Sequence, residues 1–109
     1  MRSPKVTIID YGFGNILSVQ RAFETFGAEV LITDNPNLIL SADRLVLPGV
    51  GAFRQSMLSL AKLDLINAIV NFAKQGKPLL GICLGMQLLY DESEEFAITK
   101  GLGLVSGRI

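Results

Sequence analysis

The chain has 109 residues, with ten basic and ten acidic side chains and a formal net charge of zero, which argues against nucleic acid or an anionic membrane surface as partner. This length allows one small domain at most, and the 50% hydrophobic composition suits strands buried on both faces, as in parallel sheets. No apolar run approaches membrane-spanning length, and the N-terminus lacks a secretory pattern. The single cysteine cannot form an internal disulfide, which fits a cytoplasmic protein. The chain has no histidine, so no imidazole of this chain can serve as a base.

Residues 5–10 predict a first buried strand, because this β-branched run is bounded by the glycine-containing segment 11–15. Helical spacing of apolar residues then predicts a helix that packs on the strand and has Gly27 at its C′ position. The apolar residues of this helix are Ile16, Val19, Phe23 and Phe26. Gly12 and Gly14 suggest a phosphate-binding loop, but a third glycine in register and a following Gly-Lys-Ser/Thr are missing, so we disfavour nucleotide binding. Asp10 could be catalytic at this strand end, yet capping of a turn or helix is the favoured role.

Residues 29–33 and 44–47 predict the second and third strands, and their alternation with helical segments predicts right-handed crossovers. The expected fold is therefore α/β, a doubly wound and mostly parallel sheet with helices on both faces. The third strand runs into Pro-Gly-Val-Gly-Ala-Phe at residues 48–53, at the strand end where open α/β sheets bind ligands. Because glycines let backbone N–H groups approach a substrate, Val50 or Gly51 is a candidate donor to an oxyanion.

Two further helices are expected between residues 54 and 75. The first covers residues 54–60, and the second is N-capped by Asp64 and stopped by Gly76 and Pro78. Its apolar face consists of Leu65, Ala68, Ile69, Phe72 and Ala73.

Residues 77–87 predict a strand, a sharp turn at Cys83 and a helix. Gly81 and Gly85 flank Cys83 at the spacing of a nucleophile elbow, where neighbours without side chains permit the tight turn. The elbow would expose the sulfur at a helix N-terminus, which favours the thiolate, and would direct the Leu84 N–H toward a developing oxyanion. The alternative is a cysteine that serves only as a small buried hydrophobe, but a core cysteine needs no such pair of glycines.

After the elbow, Leu88, Leu89 and Tyr90 are expected to continue the helix, and the acidic run 91–95 to form a solvated surface segment. We expect no metal site there, because the carboxylates lack the spaced pattern of a calcium loop. Residues 101–105 predict another strand.

The segments 48–53 and 81–87, Gly-Ile-Cys-Leu-Gly-Met-Gln, resemble the class I (triad) glutamine amidotransferases. Residues 9–15, Ile-Asp-Tyr-Gly-Phe-Gly-Asn, followed by Ser18 and Val19, are similar to one branch of that family, the glutaminase subunits of imidazole glycerol phosphate synthase in histidine biosynthesis. Residues 101–104 point to the same branch, and residues 10–15 disfavour another amidotransferase of the class. The resemblance covers essentially the whole chain and implies a flavodoxin-like fold.

This resemblance implies that Cys83 attacks the side-chain amide of glutamine, giving a thioester and ammonia, while Leu84 and the backbone of Val50 and Gly51 stabilise the oxyanion. It implies that Gly51 and Gln87 hold the substrate, that no cofactor or metal takes part, and that ammonia passes to a cyclase subunit. Asn15 matches a position near the interface with that cyclase.

Members of this family are about twice as long, and their catalytic His and Glu lie in the second half. We therefore expect residues 1–109 to be the N-terminal part of a single amidotransferase domain, a truncated form of the fold that is inactive alone. The alternative is non-enzymatic: a half-domain that folds, docks or self-associates through the surface that a second half would cover.

Overall fold

The chain alternates strands and helices up to Leu88 and then forms a small second sheet. The computed structural model describes residues 3–109. Its strands are β1 Lys5–Ile9, β2 Glu29–Thr33, β3 Leu45–Leu47, β4 Leu79–Gly81, β5 Tyr90–Ser93, β6 Thr99–Lys100 and β7 Val105–Arg108. Its helices are α1 Ile16–Thr25, α2 Pro36–Leu40, α3 Phe53–Lys62, α4 Ile66–Lys74 and α5 Leu84–Leu88.

The first four strands form one parallel sheet in the order β2-β1-β3-β4. This order is doubly wound, because β2 and β3 lie on opposite sides of β1, and flavodoxin-like proteins share it. The predicted α/β class with a parallel sheet is confirmed. Since all four strands run the same way, their carboxyl ends, and the loops that follow β1, β3 and β4, meet at one edge of the sheet.

Helices cover both faces of this sheet, and alternate strand residues divide between two clusters of buried side chains. One cluster contains Val6, Ile8 and Val46, with Ile16, Val19 and Phe23 of α1 packed against it. The other joins Ile9, Leu45 and Leu47 to Phe53 and Leu60 of α3 and to Ile69 and Phe72 of α4. Among residues 3–109 no single helix could span a membrane; only α3 and α4 taken together have the length and composition, and they bend by 91° between them.

Gly27 occupies the C′ position of α1, as the sequence predicts. The last helical residue is Thr25, however, so the helix ends before Phe26, the last residue of the apolar pattern. Gly27 has φ +90°, and its N–H donates to the carbonyl of Glu24, while the Ala28 N–H donates to that of Phe23. These two bonds form a Schellman motif, which uses a left-handed residue at C′. Phe26 therefore lies outside the helix and is 89% exposed, so its predicted place on the buried face is wrong.

Asp64 does not N-cap α4, contrary to the sequence prediction. It has φ +61° and lies at the C′ position of α3, where its N–H donates to the carbonyl of Ala61 and the next N–H, of Leu65, donates to that of Leu60. Leu60 and Leu65 are both fully buried, which is the apolar contact that accompanies this motif. An aspartate can occupy either end of a helix, and Asp64 here belongs to the C-terminal end of α3.

The C-terminal segment forms a three-stranded sheet in the order β6-β5-β7, with β5 antiparallel to β6 and parallel to β7. The predicted continuation of the helix to Tyr90 is wrong, because Tyr90 begins β5. The acidic run is only partly a solvated segment, since Ser93 is buried and Arg108 of β7 forms ion pairs of 2.6 Å with Glu92 and with Glu94. The strand predicted at 101–105 is displaced, and only its last residue belongs to a strand.

Candidate active site around Cys83

Cys83 lies between the end of β4 and the start of α5, at the edge where the loops of the parallel sheet meet. Its backbone has φ +54° and ψ −123°, a region that residues with a side chain rarely adopt, and its thiol is exposed. Such strain at a single exposed cysteine is typical of functional sites, because the surrounding structure must hold the residue there.

The two flanking glycines are required sterically by this turn. A β-carbon on Gly81 would lie 2.6 Å from the α-carbon of Met86, and one on Gly85 would lie 1.9 Å from the carbonyl oxygen of Leu47. Side chains at either position would push α5 away from β3 and β4. The strand–turn–helix geometry predicted for residues 77–87 is present, whereas the catalytic role of Cys83 stays a prediction.

The loop between β3 and α3, residues 48–52, contacts the elbow directly. A β-carbon on Gly49 would lie 2.6 Å from the Gly85 nitrogen, so only a glycine permits this approach. The Leu84 N–H donates to the carbonyl oxygen of Gly49 over 3.2 Å, and the Val50 N–H donates to that of Phe13 over 3.3 Å. Leu84 directly follows the cysteine, and Val50 directly follows Gly49, which contacts the elbow. Both predicted oxyanion donors are occupied by backbone carbonyls in this conformation.

Tyr11 holds the start of the β3–α3 loop through a hydrogen bond. Its side chain is 3% exposed, and its hydroxyl donates to the carbonyl oxygen of Pro48 over 2.6 Å. Burial raises the pKa of Tyr11 to about 12. The sequence indicates Tyr11 only as part of the 9–15 motif, since no local pattern shows that its phenol reaches a residue 37 positions away.

The remaining predicted site residues lie on the same loops and on α5. Gln87 is half-buried, one helical turn after Cys83. Asn15 is exposed at the N-cap of α1, and the preceding Gly14 packs on Pro48, with a β-carbon there 3.0 Å from the proline ring. Asp10 accepts a hydrogen bond from the Gly12 N–H over 3.3 Å, which is the favoured turn-capping role.

Two cavities lie elsewhere on the molecule. One, of about 380 Å³, borders the amino ends of β1 and β2, and the other, of about 540 Å³, lies between α3 and β6; Cys83 lines neither. Within residues 3–109, no three His, Cys, Asp or Glu side chains come close enough together to hold a metal ion.

The model of the family described as "Glutamine amidotransferase class-I" matches residues 7–101, which include the end of β1, the β3–α3 loop and the elbow. The chain belongs to the class-I glutamine amidotransferase family. The resemblance stated from residues 48–53 and 81–87 is thereby confirmed.

Two relatives within this amidotransferase family are both named imidazole glycerol phosphate synthase subunit HisH. The one from Legionella pneumophila (strain Lens) is 55% identical over 104 residues, which is 95% of this chain and 49% of the relative. The one from Syntrophotalea carbinolica is 49% identical, over 95% of this chain and 50% of the relative. The chain spans about half the length of the curated relatives it matches.

A solved structure of a putative peptidase E protein from Listeria monocytogenes EGD-e shares the amidotransferase chain's fold. It superposes with a TM-score of 0.77 at 14% identity, covering 95% of this chain and 64% of the other. At this identity the similarity concerns the fold alone.

Proposed function

We propose that this chain is the N-terminal part of a single amidotransferase domain, the glutaminase subunit of a cytoplasmic imidazole glycerol phosphate synthase, with Cys83 as its nucleophile. The elbow carries the proposal, because it exposes a strained cysteine at the start of α5, against which the β3–α3 loop packs. Relatives with the HisH name support the branch.

In the proposed reaction the Cys83 thiolate attacks the side-chain amide carbon of glutamine, and a tetrahedral oxyanion forms. Its collapse breaks the C–N bond and releases ammonia after protonation, which leaves a thioester, and water then attacks the thioester to release glutamate. Leu84, Val50 and Gly51 supply the oxyanion donors, but the Leu84 N–H must first leave the Gly49 carbonyl and the Val50 N–H must leave that of Phe13. Gly51 and Gln87 hold the substrate glutamine.

The proton transfers need a base and an acid, and no imidazole of this chain can supply them, since it has no histidine. We propose that they come from a segment corresponding to the second half of the relatives. Ammonia then passes to a cyclase subunit, which contacts the surface around Asn15. No cofactor takes part.

The test combines this chain with the C-terminal half of the Legionella relative, co-expressed as a separate polypeptide. We expect negligible ammonia release from glutamine by the 109-residue chain alone, and turnover when the two halves assemble. The Cys83→Ala variant, co-expressed in the same way, is the control and should be inactive. Robust glutaminase activity of the isolated chain, or activity of the Cys83→Ala pair, would contradict the proposal.

A second candidate is a half-domain whose role is docking or self-association. It is favoured by β4, an edge strand of the parallel sheet on which Leu80 is 50% exposed. Unpaired strand edges recruit other strands. Light scattering at micromolar concentration tests self-association: an oligomer that the edge variant Leu80→Lys converts to a monomer supports it, and a compact monomer of the unchanged chain contradicts it.

A further inference from the structure

Three elements of the chain converge on the buried phenol of Tyr11. Tyr11 follows β1, its hydroxyl donates to the Pro48 carbonyl at the end of β3, and its own carbonyl accepts from the Ser59 hydroxyl of α3 over 2.5 Å. The Ser56 hydroxyl, fully buried and without a well-aligned hydrogen bond, lies against the same phenol. Tyr11 is therefore fixed at both its main chain and its ring.

The Tyr11–Pro48 bond holds the first residue of the β3–α3 loop. Pro48 is fully buried, so its carbonyl has the phenol as its partner in place of water. The phenol is also close to Gly49, since a β-carbon there would lie 2.8 Å from the Tyr11 oxygen. Beyond this point Val50 is 50% exposed and Gly51 has φ +93°, so the outer part of the loop has room to change conformation while Pro48 is held.

We propose that Tyr11 is a positioning residue for addition to a carbonyl at Cys83, acting through Pro48 on the backbone N–H groups of the β3–α3 loop. This inference deepens the proposed function and rests on it. The hydroxyl touches neither substrate nor thiol. Its effect is to limit the conformations of residues 49–51, so that their N–H groups reach the oxyanion from one defined starting arrangement.

Loss of the Tyr11 hydroxyl should affect two reactions of the Cys83 sulfur differently. Acylation by p-nitrophenyl acetate forms a bond from Sγ to the acetyl carbon and breaks the bond to p-nitrophenolate, through a tetrahedral oxyanion that backbone N–H groups stabilise. Alkylation by iodoacetamide displaces iodide at a saturated carbon and forms no oxyanion. Because p-nitrophenolate needs no protonation to leave, neither reaction requires a histidine, and the 109-residue chain can be tested as it exists.

The experiment compares the ratio of the acylation rate to the alkylation rate in the unchanged chain, in Tyr11→Phe and in Tyr90→Phe. Intact mass follows modification of Cys83, and Cys83→Ala gives the background from lysines. We expect Tyr11→Phe to lower the ratio by about fivefold to tenfold, the size of one lost hydrogen bond, with an unchanged pH dependence of alkylation. Tyr90→Phe, the matched control on β5, should keep the ratio of the unchanged chain.

An unchanged or increased ratio in a folded Tyr11→Phe variant would overturn the proposal, because the phenol would then be structural or would restrain the reaction. If Tyr11→Phe does not fold, Ser59→Ala replaces it. Ser59→Ala keeps the phenol but frees the Tyr11 main chain, so a smaller fall in the ratio supports the proposal and no fall overturns it. Glutamine is absent from both assays, so a failed complementation experiment does not decide this one.

Discussion

A β-carbon on Gly85 would stand 1.9 Å from the carbonyl oxygen of Leu47, so α5 and β3 leave no room for a side chain at Gly85. Replacing an ordinary glycine inside a helix by alanine raises the free energy of unfolding of the protein by up to about 1 kcal/mol. Here the backbone carbonyl on the other side cannot move without disturbing the parallel sheet. The position therefore reverses the usual effect of the substitution.

We expect Gly85→Ala to lower the free energy of unfolding by about 2–3 kcal/mol, because the added methyl group overpacks a backbone contact. Urea unfolding measures the change. Gly27→Ala is the control, since its β-carbon would meet no atom within 4 Å and only the φ of +90° is unfavourable. A loss at Gly85 no greater than that at Gly27 would contradict the packing described for the elbow.

The strain at Cys83 predicts that glycine at this position stabilises the fold. Cys83 holds φ +54° and ψ −123°, and removal of its β-carbon relieves this conformation. We expect Cys83→Gly to raise the free energy of unfolding by roughly 1 kcal/mol, after the greater freedom of glycine in the unfolded chain is subtracted. Cys83→Ala keeps the β-carbon and should change stability little. A Cys83→Gly variant that is less stable than Cys83→Ala by the entropy cost of glycine would show that the elbow is not strained.

The C′ position of Asp64 gives a prediction that separates it from an N-cap. At C′, with φ +61°, Asp64→Gly should stabilise the chain by about 0.5–1 kcal/mol, because glycine adopts this conformation without a steric penalty. For an N-cap the same change would be slightly destabilising. Gly76→Ala, at the equivalent end of α4 with φ +77°, is the reverse control and should destabilise the chain. Thermal or urea unfolding gives the sign.

We expect Tyr11 to make the free energy of unfolding depend on pH between about pH 10 and pH 12. Its pKa rises from 10.0 in the unfolded chain to about 12 in the folded chain because of burial. The unfolded state thus loses the proton first, so this contribution is complete below pH 10 and is lost as the pH rises toward 12, up to about 2–3 kcal/mol. Urea unfolding between pH 8 and pH 12 should show the stability gap between the unchanged chain and Tyr11→Phe narrowing above pH 10. Tyr90→Phe should fall in parallel with the unchanged chain; a constant gap for Tyr11→Phe would rule out a buried ionisable phenol.

The sequence predicts the parallel sheet well, because its strands are short apolar runs followed by glycine or proline. The elbow is predicted for the same reason, since Gly81 and Gly85 mark a turn that few other structures need. Asp64 is predicted wrongly because an aspartate between two helices suits either helix end. The β5 strand is missed because its acidic residues are balanced by Arg108, which lies 14 and 16 positions away and is invisible to a local pattern.

Within the site, the sequence identifies which loops meet but not how their hydrogen bonds are arranged. Leu84 and Val50 are named as donors, yet their partners Gly49 and Phe13 are set by packing between separate loops. The roles of Cys83, Gly51, Gln87 and Asn15 stay predictions.

The order of strand pairing has a consequence for synthesis on the ribosome. Each strand of the parallel sheet pairs with one already made: β2 with β1, β3 with β1, and β4 with β3, while β6 and β7 pair with β5. A nascent chain that has emerged as far as Gly81 already holds every strand of the first sheet, and the second sheet needs only residues 90–108. The parallel sheet can therefore form vectorially, because no pairing among β1 to β4 waits for a strand of the second sheet.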